Sequence, residues 1–199
     1  MSVERKEMIL SAFRSLVRQY GVTKTTMQDV ARECGISVGL IYKDFTNKED
    51  LIDAYVNKLI NQIFSECRRL SRQDKSPKEL LYDVIMGFNK LLGEYLVEEE
   101  GFFQCVFGTV QLGQMRQKTL KYVILFRKQM ETILGDILKK GQTEGSFEVQ
   151  GISETAANIM DCFSFFPFEI AFYDKTPDEI LPKVEQLYYF VVGAFAKRE

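Results

Sequence analysis

Apolar residues recur every three or four positions along most of this chain, the period of amphipathic helices, and no strand-like alternation or repeat competes with it. Ile9, Ala12, Phe13, Leu16 and Val17 make one face of a helix expected from about Val3 to Tyr20, with Gly21 as its stop. Leu51, Ala54, Tyr55, Leu59, Ile63, Phe64 and Leu70 keep the same period to about Arg72, a long stem. Its start is marked by Asn47 as N-cap with Asp50 at N3. The polar run Ser71 to Glu79 is the clearest boundary, and Ser76-Pro77-Lys78-Glu79 within it opens a helix expected to reach Val97. Glu98-Glu99-Glu100-Gly101 should break that helix, leaving a short apolar element from Phe102 to Gly113. Leu120, Val123, Ile124, Met130, Ile133, Leu134, Ile137 and Leu138 then mark one side of a long helix from about Met115 to Glu144, capped by Gly145. Ser153 to Tyr173 is apolar nearly all round and demands burial on more than one side, with Pro167 expected to kink or end it. The final helix opens at Thr176-Pro177-Asp178-Glu179, should be irregular in its first turns because of Pro182, and carries a stripe of Val184, Leu187, Tyr188, Val191 and Phe195. The fold class is therefore all-α, with about nine helices.

The stretch Thr25 to Leu51 has a different texture: two short helices, a tight turn and the start of a third. Thr26 can cap the first with Asp29 reaching back from N3, Val30 and Ala31 face inward, and Gly35 supplies the positive φ of the turn, plugged by Ile36. Ser37 can cap the second, whose Ile41 and Phe45 share an inward face. The other face leaves Val38, Gly39, Leu40, Lys43 and Asp44 outward with Tyr42 at the edge, and a helix of this width fits the major groove of B-form DNA.

Thr25-Thr26, Val30-Ala31, Gly35-Ile36-Ser37, Gly39, Tyr42, Phe45 and Lys48-Glu49-x-Leu51 resemble the helix-turn-helix of the tetracycline-repressor (TetR) family over roughly the first quarter of the chain. The rest is similar to that family only in length and helical texture. The resemblance implies a helix-turn-helix DNA-binding domain over residues 1–50 and a helical effector-binding and dimerisation domain over 51–199. It implies a homodimer built on the last two helices, with Ile159, Phe163, Val184, Leu187, Tyr188, Val191 and Phe195 expected at the interface, and a small-molecule pocket in the second domain. An apolar or aromatic effector would be lined by Phe88, Phe102, Phe103, Phe107, Phe126, Phe163 and Phe166, with Tyr82 or Gln104 as polar anchors.

Charge sharpens the picture only slightly. The net charge is -2, and residues 1–50 hold eight basic against seven acidic residues, so binding to DNA must rest on a few aimed phosphate contacts. Thr26, Tyr42 and Lys48 are the expected phosphate contacts, Lys48 beside the free amides of a helix start, and Ser37, Val38, Gly39, Leu40 and Lys43 the groove contacts. Arg5, Lys6 and Lys24 flank the first helix, where surface charge and phosphate contact are equally served. Asp44 departs from the family pattern: it either accepts from a cytosine amino group or pairs with Lys43 or Lys48 and turns away.

No histidine, phosphate loop, G-x-S-x-G or ligand-spaced cysteine pair is present, which argues against an enzyme, a metal site and a cofactor. Cys34, Cys67, Cys105 and Cys162 are expected to be reduced and buried. No run approaches the ~18 to 20 apolar residues of a membrane span, and the N-terminus lacks an apolar secretory segment, so a cytoplasmic protein without a membrane partner is expected. The combined expectation is a dimeric regulator of transcription on a pseudo-palindromic operator, a repressor released by its effector. The alternative is a helical ligand- or protein-binding module with a non-specific or vestigial DNA head.

Overall fold

A computed structural model describes residues 3–99, 113–173 and 175–197. The chain is built from helices α1 (Val3–Tyr20), α2 (Met27–Glu33), α3 (Val38–Asp44), α4 (Lys48–Ser71), α5 (Pro77–Glu98), α6 (Gly113–Thr143), α7 (Ile152–Phe163), α8 (Phe166–Phe172) and α9 (Pro177–Gly193). Among the described residues the only extended pairing is a single antiparallel bridge between Phe147 and Ala196. No helix among them is long and apolar enough to cross a membrane.

Local chemistry sets the ends of these helices. Ser76 and Thr176 each accept a hydrogen bond from the N3 amide, and Glu79 and Glu179 reach back to the cap amide, completing capping boxes at α5 and α9. A cap of this kind is worth about 1 kcal/mol. Gly21 (φ 81°) and Gly145 (φ 78°) end α1 and α6 in the left-handed region, where a side chain would be strained.

Two apolar cores result. Ile9, Leu10, Phe13, Leu16 and Val17 of α1 pack with Val30, Ala31, Ile41 and Phe45, and with the first half of α4 through Leu51, Tyr55 and Leu59. The second half of α4, through Ile63, Phe64 and Cys67, joins α5, α6, α7 and α9 in a larger core. α4 therefore belongs to both, and Ile60 and Tyr95 pack against both.

Several expectations are corrected. The stretch from Ser153 to Tyr173 is interrupted as Pro167 suggested, but the break lies ahead of it, at Ser164 and Phe165, and Pro167 falls in the first turn of α8, where its missing amide costs nothing. Pro182 does not disturb α9, which runs unbroken over it. Ile124 is 56% exposed and does not join the packed side of α6, where the described buried apolar residues are Met130, Ile133, Leu134, Ile137 and Leu138 and the side chains of Leu120 and Val123 lie outside those described. Only Cys67 of the described cysteines is buried; Cys34 is half-buried and Cys162 exposed. Burial pushes the Cys67 thiol up to about 12. The apolar element from Phe102 onwards and Cys105 lie outside the described residues.

Candidate nucleic-acid interface

α1 is the platform on which α2 and α3 are mounted. At the start of α2 the Thr26 hydroxyl accepts from the Asp29 amide at 3.2 Å, and the Asp29 carboxylate takes both the Thr26 amide at 3.0 Å and its hydroxyl at 2.6 Å. Those bonds from Thr26, chiefly the one to its side chain, hold the Asp29 carboxyl below the usual carboxylate range. The Thr26 hydroxyl that sequence reasoning offered to phosphate thus already serves a cap. Thr25, 2% exposed, donates to the Gly21 carbonyl at 2.9 Å and locks the preceding turn.

The turn between α2 and α3 rests on Gly35 at φ 64°, whose amide donates to the Arg32 carbonyl at 3.1 Å while the Ile36 amide reaches Ala31 at 3.0 Å. Ile36 packs against the core beneath. Ser37 has the extended backbone of an N-cap but makes no side-chain cap bond, so its hydroxyl is not spent on the helix. Ile41 is fully buried and Phe45 5% exposed, which fixes how α3 is rotated about its axis.

Ser37, Gly39, Tyr42 and Lys43 are consequently exposed, Tyr42 by 50%, and Val38 and Leu40 half-exposed. The residues named for the groove form one face. A Cβ added at Gly39 would meet nothing nearer than the Ser37 hydroxyl at 4.0 Å, so nothing inside the chain requires glycine there.

Lys48 starts α4 behind the Asn47 cap, whose side chain accepts from the Asp50 amide at 2.8 Å. The Asp50 carboxylate reaches one residue beyond the cap, to the Thr46 amide at 3.1 Å. The Lys48 ammonium donates to the Thr23 carbonyl at 3.3 Å, which pins it beside the α1–α2 connection at the positive end of α4.

Asp44 pairs with neither Lys43 nor Lys48. Arg5 donates through Nε at 2.5 Å and Nη2 at 2.9 Å to its two oxygens, and the Asp44 side chain has no exposed surface. The hydrogen bond from Arg5 holds the Asp44 carboxyl below the usual range. This arrangement removes Asp44 from the groove-facing set and adds Arg5 to the residues that set the pose of α3. Lys6 stacks its ammonium 5.8 Å from the centre of the Phe45 ring. Glu7 is held by Lys58, and Asp29 by Arg32 at 3.2 Å. Three of the acidic residues that lower the charge of the head are therefore turned onto partners within it. Neither Arg5 nor Glu7 carried a local signal for this, because their partners lie 39 and 51 positions away.

The residues named for an effector pocket fall into separate places. Phe88 and Phe126 meet at 5.3 Å between ring centres, and Phe126 meets Phe64 at 5.1 Å. Phe163 and Phe166 pair at 6.2 Å. Tyr82 is elsewhere, donating at 2.6 Å to Glu185 and packing edge-on against Tyr188 at a cleft of the surface. That bond to Glu185 first, and burial second, push the Tyr82 hydroxyl up to about 12. Tyr82 cannot anchor a ligand among the phenylalanines from there. Phe102, Phe103, Gln104 and Phe107 lie outside the described residues.

The interface expectation also needs correction. Phe163, Val184 and Tyr188 are 4% exposed or less and fill the core of their own chain, so they have little surface to offer a second copy, while Ile159, 2% exposed, reaches the surface only at the floor of a cleft between α7 and α9. Leu187, Val191 and Phe195 are half-buried against that core. The same helices leave outside Phe190, 80% exposed, with Tyr189 and Cys162.

The family model described as bacterial regulatory proteins, tetR family, matches residues 9–55, the two short helices and the elements that carry them. The probable HTH-type transcriptional regulator ArpR of Pseudomonas putida is 26% identical over 158 residues, 74% of this chain and 72% of that protein. The HTH-type transcriptional repressor KstR2 of Mycobacterium tuberculosis is 24% identical over 144 residues, 72% of this chain and 69% of its own length. The fold is shared with a TetR transcription regulator from Haloarcula marismortui, with a TM-score of 0.79 at 15% identity over 98% of this chain and all of the other. The reading head, its pose on α1 and α4 and the helical body behind it agree with these likenesses: residues 9–55 carry the DNA-binding region of the tetR family of bacterial regulatory proteins, and the chain has the fold of TetR-family regulators.

Proposed function

We propose that this chain is a ligand-responsive repressor that binds a pseudo-palindromic operator as a homodimer. The observation that carries the reading is the outward face of α3, where Ser37, Gly39, Tyr42 and Lys43 are exposed together around a glycine that the chain's own packing does not need. A face of this kind suits close approach to base edges: Lys43 can donate to guanine and Val38 or Leu40 can lie against a thymine methyl. Tyr42 and Lys48 flank it toward the phosphates, with Thr26 contributing through its cap.

A single head covers only a short half-site, so specific affinity calls for two heads at a fixed spacing. The surface proposed to join two copies is the outer side of α7 and α9, where a cleft of about 580 Å³ is lined by Ile159, Cys162, Phe190, Val191 and Phe195. An aromatic side chain 80% exposed beside an apolar cleft is the composition of an interface core. Residues 1–50 are proposed as the DNA-binding domain and 51–199 as the effector and dimerisation domain, with α4 crossing between them. The cluster of Phe64, Phe88 and Phe126 favours an apolar or aromatic effector.

Selection of bound sequences from random duplex DNA, followed by titration of the winner with wild type and a Tyr42→Ala, Lys48→Ala variant, tests this reading. A two-fold-symmetric site that the variant no longer binds is expected. Enrichment of no sequence, or equal binding by the variant, overturns it.

A further inference from the structure

Among the described residues the head is tied to the body at two places besides the continuous backbone of α4. α5 ends at Glu98, and Glu99, its C-cap, is a carboxylate only 2% exposed. Arg14 of α1 donates through Nε to Glu99 at 2.6 Å and through Nη2 to Glu98 at 2.8 Å. The Tyr55 hydroxyl of α4 lies against the same carboxylate, and its ring packs edge-on against Phe13 at 6.0 Å. One turn earlier Tyr95, which touches both cores, donates to Gln62 of α4 at 3.1 Å. The second tie comes from α6: Tyr122 packs against the head's core with its hydroxyl beside Asp53 of α4. The two ties thus stand on either side of the connection from α5 to α6.

A buried carboxylate is costly, and one at a helix C-terminus faces the negative end of the dipole. The charge at Glu99 is held in place by Arg14 from the other core, so the state of α5's end and the position of α1 are energetically linked. Moving Arg14 away leaves the Glu99 carboxylate buried without its charge partner, so the junction is sensitive to the position of α1.

We propose that the Arg14–Glu98/Glu99 ion pair and the contact of Tyr122 with Asp53 and the head's core are a two-point latch through which the body sets the angle of the head. A rearrangement at either end of the α5–α6 connection is then felt as a change in DNA affinity. The proposal rests on the reading of the chain as a responsive regulator.

Two readouts test it on the full chain. The first is affinity for the selected operator in Glu99→Gln, Arg14→Gln, their double variant and Tyr122→Phe. Each single change should shift affinity by at least about fivefold, and the double variant should be no worse than either single one. The second uses no DNA: spin labels at the exposed positions Lys24 and Lys139, in a chain whose native cysteines are replaced and which is diluted with unlabelled chain, report the distance from head to body. The Glu99→Gln and Tyr122→Phe variants should broaden or shift it. Tyr122→Phe removes one hydroxyl only, so it keeps the test alive should Glu99→Gln fold poorly. Unchanged distances together with affinities within about twofold of wild type, in variants that melt normally, overturn the latch. If the wild type selects no operator, the regulator reading fails and the distance measurement still decides the latch.

Discussion

Arg5 and Asp44, 39 positions apart, close a bidentate ion pair between the first turn of α1 and the last residue of α3. The pair fixes the C-terminal end of the reading helix against the platform beneath it. Since the carboxylate faces Arg5 and has no exposed surface, Asp44→Asn should leave the preferred operator sequence unchanged. It should destabilise the head by about 1.5 to 3 kcal/mol, the range for a charge-assisted hydrogen bond. Sequence selection and chemical denaturation of the variant check the two halves separately; an altered base preference would mean that Asp44 reads DNA after all.

The same pair predicts an acid response of known sign. The Asp44 carboxyl is lowered in the folded chain by its hydrogen bond to Arg5, so its contribution is fully present above the ordinary carboxylate range and is lost as pH falls through the lowered value. Melting temperature measured from pH 7 down to pH 3 should therefore drop less steeply for Asp44→Asn than for wild type below about pH 4. Parallel curves would remove Asp44 from the acid response.

Gly39→Ala separates folding from binding. Alanine is favoured over glycine inside a helix by about 0.5 to 1 kcal/mol, and the new methyl group would meet nothing closer than 4.0 Å within the chain. The variant should melt higher than wild type and bind its operator more weakly, because the methyl group stands where a base edge is proposed to approach. Equal or tighter binding would show that the glycine has no role at the groove.

What was legible in the sequence was what short-range chemistry decides. The bounds of α1, the caps at Thr26, Ser76 and Thr176 and the turn at Gly35 each depend on residues within four positions of one another, and each is found as read. The rotation of α3 follows equally from the four-residue spacing of Ile41 and Phe45. What was illegible depends on partners far along the chain. Nothing near Arg5, Arg14 or Glu99 announces the ion pairs across 39 and 85 positions. Periodicity says that Val184 and Tyr188 of α9 are apolar, but whether their own chain or a second copy covers them is settled by α5 packing there. Pro167 signalled an interruption of the apolar run from Ser153, but the break falls at Ser164 and Phe165, which the pattern could not place because Phe163, Phe165 and Phe166 look alike while Phe165 is 57% exposed.

Thiol chemistry gives an inexpensive check on burial. Cys67 is enclosed and its thiol is raised to about 12, so a maleimide at neutral pH should leave it unmodified until the chain unfolds. Cys162, exposed on the single chain, should react readily in dilute solution and more slowly as concentration rises, because it lines the cleft proposed to be covered by a second copy. Site-resolved mass spectrometry reads both. A Cys162 rate independent of concentration, in a sample that is dimeric throughout, would move the interface elsewhere.

Phe190 offers the sharpest test of assembly. Its ring is 80% exposed, so Phe190→Glu should leave the melting of a single chain within about 0.5 kcal/mol of wild type, as for most surface substitutions. At the proposed interface the same change would set two carboxylates near a two-fold axis in an apolar cleft, where desolvation and like-charge repulsion act together. Sedimentation should then show a monomer at concentrations where the wild type is a dimer. Operator affinity should fall toward that of one half-site, and the dependence of affinity on salt should flatten, because one head releases fewer counterions than two. A variant that stays dimeric and keeps the full salt dependence would place the contact away from the outer side of α9, and would leave Phe190 exposed for some other partner.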